Sequence, residues 1–447
     1  MTRTSDLTRY TGEDRGERTA PALFSPVRVR RTRHAGSSTP AGTTTTGPSL
    51  AVYASMQDIE SEWRTFERTA DRTPFQSFDW LEKWQRHIGS KRGTRPAIVV
   101  GRAADGCTLL ILPLVIERGR FGARLTWLGS DRCDYNAPLL APGFSDLGLD
   151  WIAVWRRIKQ SILANRSLRF DVVDFDKMPA FVGGQPNPLV ALRTTPNANE
   201  AHIATLGDDW NAFYRTTRSS SSRKSQRKQL NRLADNGPVR FRTCETPQQI
   251  AETLSILVHQ KQRALARMGA DDIFDSPGAR DFYADVTSDP AMSDMIHLSR
   301  FDVGAEVGAT SVGLIFRDRY YLILSSYNDG EMSRHGPGRA HLIELLRFAT
   351  ERGTAQFDFT IGNEPYKLDW CDIQVRLFDH LSSQTAIGNL TQLPIAVSRL
   401  IRRWIRRDPR AWRAYTRLRR RIGVARGKGP APNAAGNDAA KAHESER

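Results

Sequence analysis

Residues 311–370 read SVGLIFRDRYYLILSSYNDGEMSRHGPGRAHLIELLRFATERGTAQFDFTIGNEPYKLDW. The runs ATSVGLIFRD (309–318) and RYYLILSSYN (319–328) are rich in β-branched and aromatic residues and predict two strands. A polar loop, NDGEMSRHGPGRA, leads into a segment with Leu342, Leu345, Leu346 and Ala349 on one helical face. The apolar AQFDFTIG (355–362) then predicts a further strand, which ends in NEPYKLDW.

The loop sets Gly336 and Gly338 at the start of that helix. Glycines there let backbone amides approach a pyrophosphate, and the positive end of the helix favours its charge. Arg339 adds a fixed cation beside them. The same residues also read as a plain turn with an N-terminal cap. Beyond the strand, Asp358, Glu364, Tyr366, Lys367 and Asp369 gather at a strand end, where open sheets receive ligands. Such groups can orient an attacking amine or hydroxyl and take its proton; a surface Lys–carboxylate pair capping the strand is the plainer alternative.

Upstream, YRTTRSSSSRKSQRKQLNRL (214–233) holds seven cations and no acid. Arg223 and Arg227 could hold the phosphates of a nucleotide-bearing cofactor, or the helix could hold RNA; a solvated face is the alternative. Helices are predicted near 247–268 and 278–288, and a strand at MIHLSRFDVG. The first half repeats this order. Stripes at Ile59, Trp63 and Phe66, then at Phe78, Leu81, Trp84 and Ile88, predict two helices, the second with Ser77 or Asp79 positioned to cap it. Strand-like PAIVVGRA, CTLLILPLVIERGR and ARLTWLGS follow, then a helix near LDWIAVWRRIKQSILANR and the strand RFDVVDF, an echo of QFDFTIG. The repetition predicts a duplicated, two-lobed protein.

The boundaries read as a polar tail at 1–48, an N-terminal lobe at 49–205, a C-terminal lobe at 206–390, a basic amphipathic segment at 391–428 and a second polar tail at 429–447. With 447 residues and a formal charge of +16, the chain is long enough for two cores and favours anionic partners. The four cysteines are far apart and the histidines lack ligand spacing, so no metal is expected. No run reaches the ~18 apolar residues of a membrane span. A cytoplasmic protein is expected, with peripheral contact to anionic lipid at the inner membrane through 399–428 as an extension.

The stretch from SVGLIFRDRYYLILSSYN through NEPYKLDW resembles the acetyltransferase domain of the CelD type, a branch of the GNAT superfamily associated with cellulose and exopolysaccharide synthesis. The matching residues are Phe357, Asp358, Phe359, Gly362, Glu364, Tyr366, Lys367 and Trp370. The layout is similar to that of Fem-type aminoacyltransferases, which hold two GNAT-like lobes. This resemblance implies an α+β, three-layer α/β/α architecture of two tandem lobes, each a mixed sheet flanked by helices. It implies acetyl-CoA or another acyl-CoA as co-substrate, with no metal. Gly336, Gly338, Arg339, Arg223 and Arg227 would hold the cofactor. Asp358 or Glu364 would take the proton of a small-molecule or carbohydrate acceptor, Tyr366 would protonate the leaving thiolate, and Lys367 would orient Glu364 or the acceptor. The sequence departs from the usual GNAT loop at Ser333, with Arg334 one place late. Aminoacyl-tRNA in place of CoA, or a non-catalytic scaffold at a membrane polysaccharide synthase, are the alternatives.

Overall fold

The computed structural model describes residues 47–120, 122–408, 410–411 and 413–418. The expected tails, apart from residues 47 and 48, lie outside the described residues, as does the basic segment beyond 418. The architecture is α+β: two tandem lobes with mixed sheets flanked by helices.

The N-terminal lobe holds two large sheets beside a two-stranded pair, Phe181–Val182 with Gln185–Pro186. The run CTLLILPLVIERGR explains why there are two: Pro113 splits it into Thr108–Leu112 and Leu114–Gly119, and each half joins a different sheet. Proline lacks the N–H that would continue the ladder. Thr108–Leu112 pairs with Ile98–Arg102 in an antiparallel four-stranded sheet. Leu114–Gly119 pairs with Gly122–Trp127 in a six-stranded sheet. There Gly122–Trp127 runs parallel to Val172–Pro179, and helix Trp151–Ala164 connects them. Trp155 and Ile158 bury against Phe175 and its neighbours.

The C-terminal lobe is built on a seven-stranded sheet in the order Val239–Thr243, Ile296–Val303, Glu306–Phe316, Arg319–Tyr327, Gln356–Ile361, Ala201–Thr205, Ile373–Val375. Arg319–Tyr327 and Gln356–Ile361 form its parallel pair, joined by helix Pro337–Glu351. Leu342, Leu345, Leu346 and Ala349 bury against Phe357 and Phe359. Helix Pro247–Arg267 packs on the sheet as well.

The sheets do not divide where a boundary at 205/206 would cut. Ala201–Thr205 sits between two strands of the C-terminal sheet, and Leu377–Ser383 returns to the six-stranded N-terminal sheet. Each lobe therefore contains a strand from the other half of the sequence. The opening helices reinforce this. Trp63, Phe78, Leu81, Trp84 and Ile88 are buried in one core with Phe282, Leu298 and Tyr321, Trp80 meets Phe282 edge-on at 5.0 Å, and Lys83 bonds Asp285 at 2.9 Å. Neither residue expected to cap the second helix does so: Ser77 stands at the N-cap without a side-chain bond, and Asp79 instead pairs with Arg64 at 2.6 Å.

Candidate active site

The site begins where the parallel strands of the C-terminal sheet part. They pair only from Arg319↔Gln356 to Tyr321↔Asp358. Past that point Thr360 takes a left-handed backbone, φ 56°, its N–H donates to the Asp358 carboxylate at 2.8 Å, and its hydroxyl donates to the Leu322 carbonyl at 3.0 Å. A side chain thus replaces the ladder bond, as in a bulge. The strands separate beyond it.

A cavity of about 360 Å³ opens in the gap, lined by Ser326, Tyr327, Gly336, Gly338, Tyr366 and Trp370 among others. Helix Pro337–Glu351 points its N-terminus into it, and no side chain caps that end. Gly336 is left-handed at φ 67°. A Cβ on Gly338 would lie 3.2 Å from the Tyr327 ring, so the absent side chain lets the helix start close to that strand. Two buried donors border the space without protein partners, Gln226 Nε2 and Arg218 Nε. Arg218 also stacks on Trp370, 5.0 Å from the ring centroid, and pairs with Asp369 at 3.2 Å. A second cavity of about 180 Å³ adjoins, lined by Arg223, Arg227, Gly336 and Arg339.

The cofactor residues expected from the sequence therefore surround two joined cavities. Arg227 and Arg339 are exposed, whereas Arg223 donates to the carbonyls of Arg215 and Arg218 at 3.1 and 2.6 Å, tying down the end of the preceding helix. An uncapped helix N-terminus, open glycines, orphaned donors and nearby guanidinium groups fit an anionic group such as a pyrophosphate.

The residues expected to act on the acceptor do not all come together. Tyr366 lines the main cavity. Burial and the Glu364 carboxylate push its hydroxyl well above the usual range, so it stays protonated. The Glu364 side chain is 54% exposed and pairs with Lys367 at 2.9 Å; burial acts to raise its pKa, but Lys367 overrides this and holds it below the ordinary value. Lys367 is buried, and its ammonium also donates to the Ile361 carbonyl at 3.2 Å. Neither Glu364 nor Lys367 is among the residues that line the cavity, and Asp358 is more deeply withdrawn. It is fully buried and off the cavity wall, accepting from Tyr135 Oη at 2.9 Å and facing Arg319 at 3.5 Å. Burial raises its pKa to about 6 against the pull of Arg319, Thr360 and Tyr135. In this arrangement no acceptor reaches it; it shapes the bulge and fastens the lobes together.

Sequence reading missed Tyr135, Gln226 and Lys261, and counted Arg218 only as one of the seven cations of the basic segment. Lys261 donates to the Ser325 carbonyl at 3.0 Å, on the strand edge that borders the gap, and burial lowers its pKa while Glu364 opposes that. Gln226 had a weak signal, standing seven positions before Leu233 on one face of the helix, the two residues that the helix buries. Tyr135 had none, because its partner lies 223 residues away. Among the described residues, no group of three or more His, Cys, Asp or Glu side chains gathers as a metal site.

Comparison with known proteins bears on this geometry. Residues 220–368 match the acetyltransferase (GNAT) domain family. The chain carries a GNAT acyltransferase domain. Comparison with curated proteins finds no match. Among solved structures, FemX aligns over 77% of this chain and 99% of its own with a TM-score of 0.51 at 9% identity. A protein of unknown function from Bacteroides thetaiotaomicron covers 75% of this chain and 100% of its own, at 11% identity and a TM-score of 0.47. The structure of L-PGS from Bacillus licheniformis covers 73% and 98%, at 14% identity and a TM-score of 0.42. The matched GNAT segment contains the glycine loop, the basic helix and the gap between the parallel strands.

Proposed function

We propose that the protein transfers an acyl group, acetyl or longer, from acyl-CoA to an amine or hydroxyl of a small-molecule or carbohydrate-linked acceptor, in polysaccharide or cell-envelope synthesis. One observation carries the reading: an uncapped, glycine-bearing helix N-terminus opens into a cavity at the split between two parallel strands. CoA phosphates would sit at Gly336, Gly338 and Arg339, with Arg227 and Arg223 alongside. The thioester would lie in the gap, near Tyr366. The acceptor nitrogen or oxygen attacks the thioester carbon and gives its proton to Glu364, held ionised by Lys367. The carbon–sulfur bond breaks, and Tyr366 protonates the departing thiolate. Asp358 serves as a positioning residue through Thr360.

Titration calorimetry with acetyl-CoA tests this. The wild type should bind in the micromolar range. Gly336→Asp, which sets a carboxylate where the phosphates would sit and which the left-handed backbone tolerates, should weaken binding on the order of 100-fold. Equal affinity in both proteins would remove the loop from the site. The basic helix Ser220–Ala234 beside the cavity and the FemX-like fold support a second reading, in which aminoacyl-tRNA replaces acyl-CoA. A tRNA gel shift that vanishes steeply with salt would favour it.

A further inference from the structure

Helix Ala386–Arg407 lies across the N-terminal lobe with its two faces in an unexpected order. A helix resting on a globular body normally turns its apolar stripe inward. Here the polar face is docked. Thr385 accepts from Gly388 N at 3.1 Å and donates to Asp171 at 2.6 Å. Gly388 packs so closely that a Cβ there would lie 2.0 Å from the Asp171 carbonyl oxygen. Arg399 pairs with Asp174 and lies 3.8 Å from Asp379. The sheet surface beneath is acidic, so it attracts the helix's cations and leaves the apolar side outward.

That outward side is a continuous stripe. Ile387, Leu390, Leu393, Val397, Leu400 and Trp404 recur at three- and four-residue steps, each between 52% and 72% exposed. The flanking charge is almost all of one sign, Asp408 being the one acid from Ala386 to Leu418. From Ala386 to Arg407 the sequence has no acid, and Arg402, Arg406, Arg410, Arg413 and Arg417 follow along the chain. Among the described residues no helix is long and apolar enough to cross a membrane. An apolar stripe edged by arginines, with a tryptophan on the apolar side, suits a helix lying in the plane of an anionic interface, its stripe about 5–10 Å deep. The cations match an anionic lipid surface.

We infer that helix Ala386–Arg407 docks the protein on an anionic lipid bilayer, with the stripe from Ile387 to Trp404 inserted. The stripe begins a dozen residues before the arginine-rich segment to which sequence reading confined membrane contact.

Co-sedimentation tests the inference, using vesicles of phosphatidylcholine alone and of phosphatidylcholine with phosphatidylglycerol. The full chain should sediment with the anionic vesicles, weakly or not at all with the neutral ones, and less as salt rises. Leu393→Glu/Leu400→Glu should reduce partitioning on the order of 100-fold while leaving the circular dichroism spectrum unchanged. Both side chains are more than half exposed, so the fold does not depend on them; Leu390→Glu/Trp404→Glu provides a second variant. Three outcomes overturn the inference: the wild type ignores anionic vesicles, wild type and variants sediment alike, or the variants abolish a concentration-dependent dimer in a protein that binds no vesicle, which would assign the stripe to contact between copies.

Discussion

The two lobes contain the same device and use it in opposite ways. In each, two parallel strands are joined by a helix, and an aspartate on the second strand faces an arginine on the first: Arg124 with Asp174 at 2.8 Å, Arg319 with Asp358 at 3.5 Å. Both aspartates are held from outside the unit, Asp174 by Arg399 and Asp358 by Tyr135. The connecting helices differ. Asp150 caps the N-terminal lobe's helix, accepting from Ile152 and Ala153 at 3.0 and 3.2 Å, whereas Gly336 leaves its counterpart uncapped. The N-terminal gap also opens a cavity, of about 650 Å³, but its wall carries charge of both signs: Arg399 pairs with Asp174, and Lys177 donates to the Ser130 and Cys133 carbonyls. The difference between the lobes lies at the helix end, capped by Asp150 in one and by no side chain in the other.

If that contrast locates the chemistry, the largest losses come from the C-terminal gap. Tyr366→Phe and Glu364→Gln should each lower turnover by about 10²–10⁴-fold with little change in acyl-CoA affinity; steady-state kinetics beside calorimetry separate the two effects. Unchanged turnover in both would break the comparison.

The buried aspartate should sharpen it through pH. The folded pKa of Asp358, about 6, lies above its ordinary 3.8. Between these values the unfolded chain ionises while the folded chain keeps its proton, so this group lowers stability as pH rises through the window, by on the order of 3 kcal/mol in all. Above about pH 6 the loss levels off. Urea unfolding of the wild type and Asp358→Asn from pH 4 to 7 should show the difference between them shifting in the variant's favour across that interval. A flat difference would mean that Asp358 does not titrate there.

The smallest effect belongs to the satisfied helix. Asp150→Ala should cost about 1 kcal/mol of stability and leave acetyl-CoA binding untouched, measured by thermal unfolding and calorimetry. A change in binding would join the two lobes in one site.

Much of this was legible because it is local. The stripes at Ile59 to Ile88 and Leu342 to Ala349 named buried faces, the FDF echo marked equivalent strands, and the glycines of 336–338 marked a helix start. What could not be read depends on distant partners. Nothing in FDFT says that Asp358 is sealed under Tyr135, so its carboxylate looked like an available base. The Ser77 hydroxyl was an ordinary cap candidate in the sequence, yet in the fold it is buried and makes no cap bond. Pro113 was visible inside an apolar run, but that it sends two halves of one run into two sheets depends on the whole lobe.

The exchanged strands make the halves inseparable as inherited or engineered parts. A fragment cut to residues 220–368 would lose Ala201–Thr205 and Ile373–Val375, the strands beyond Gln356–Ile361 in the sheet. Its apolar FDF segment would become a bare edge, a template for fibril-like pairing. Neither lobe can be shed, shuffled or expressed alone without exposing such an edge, so each lobe is the scaffold on which the other's sheet is completed.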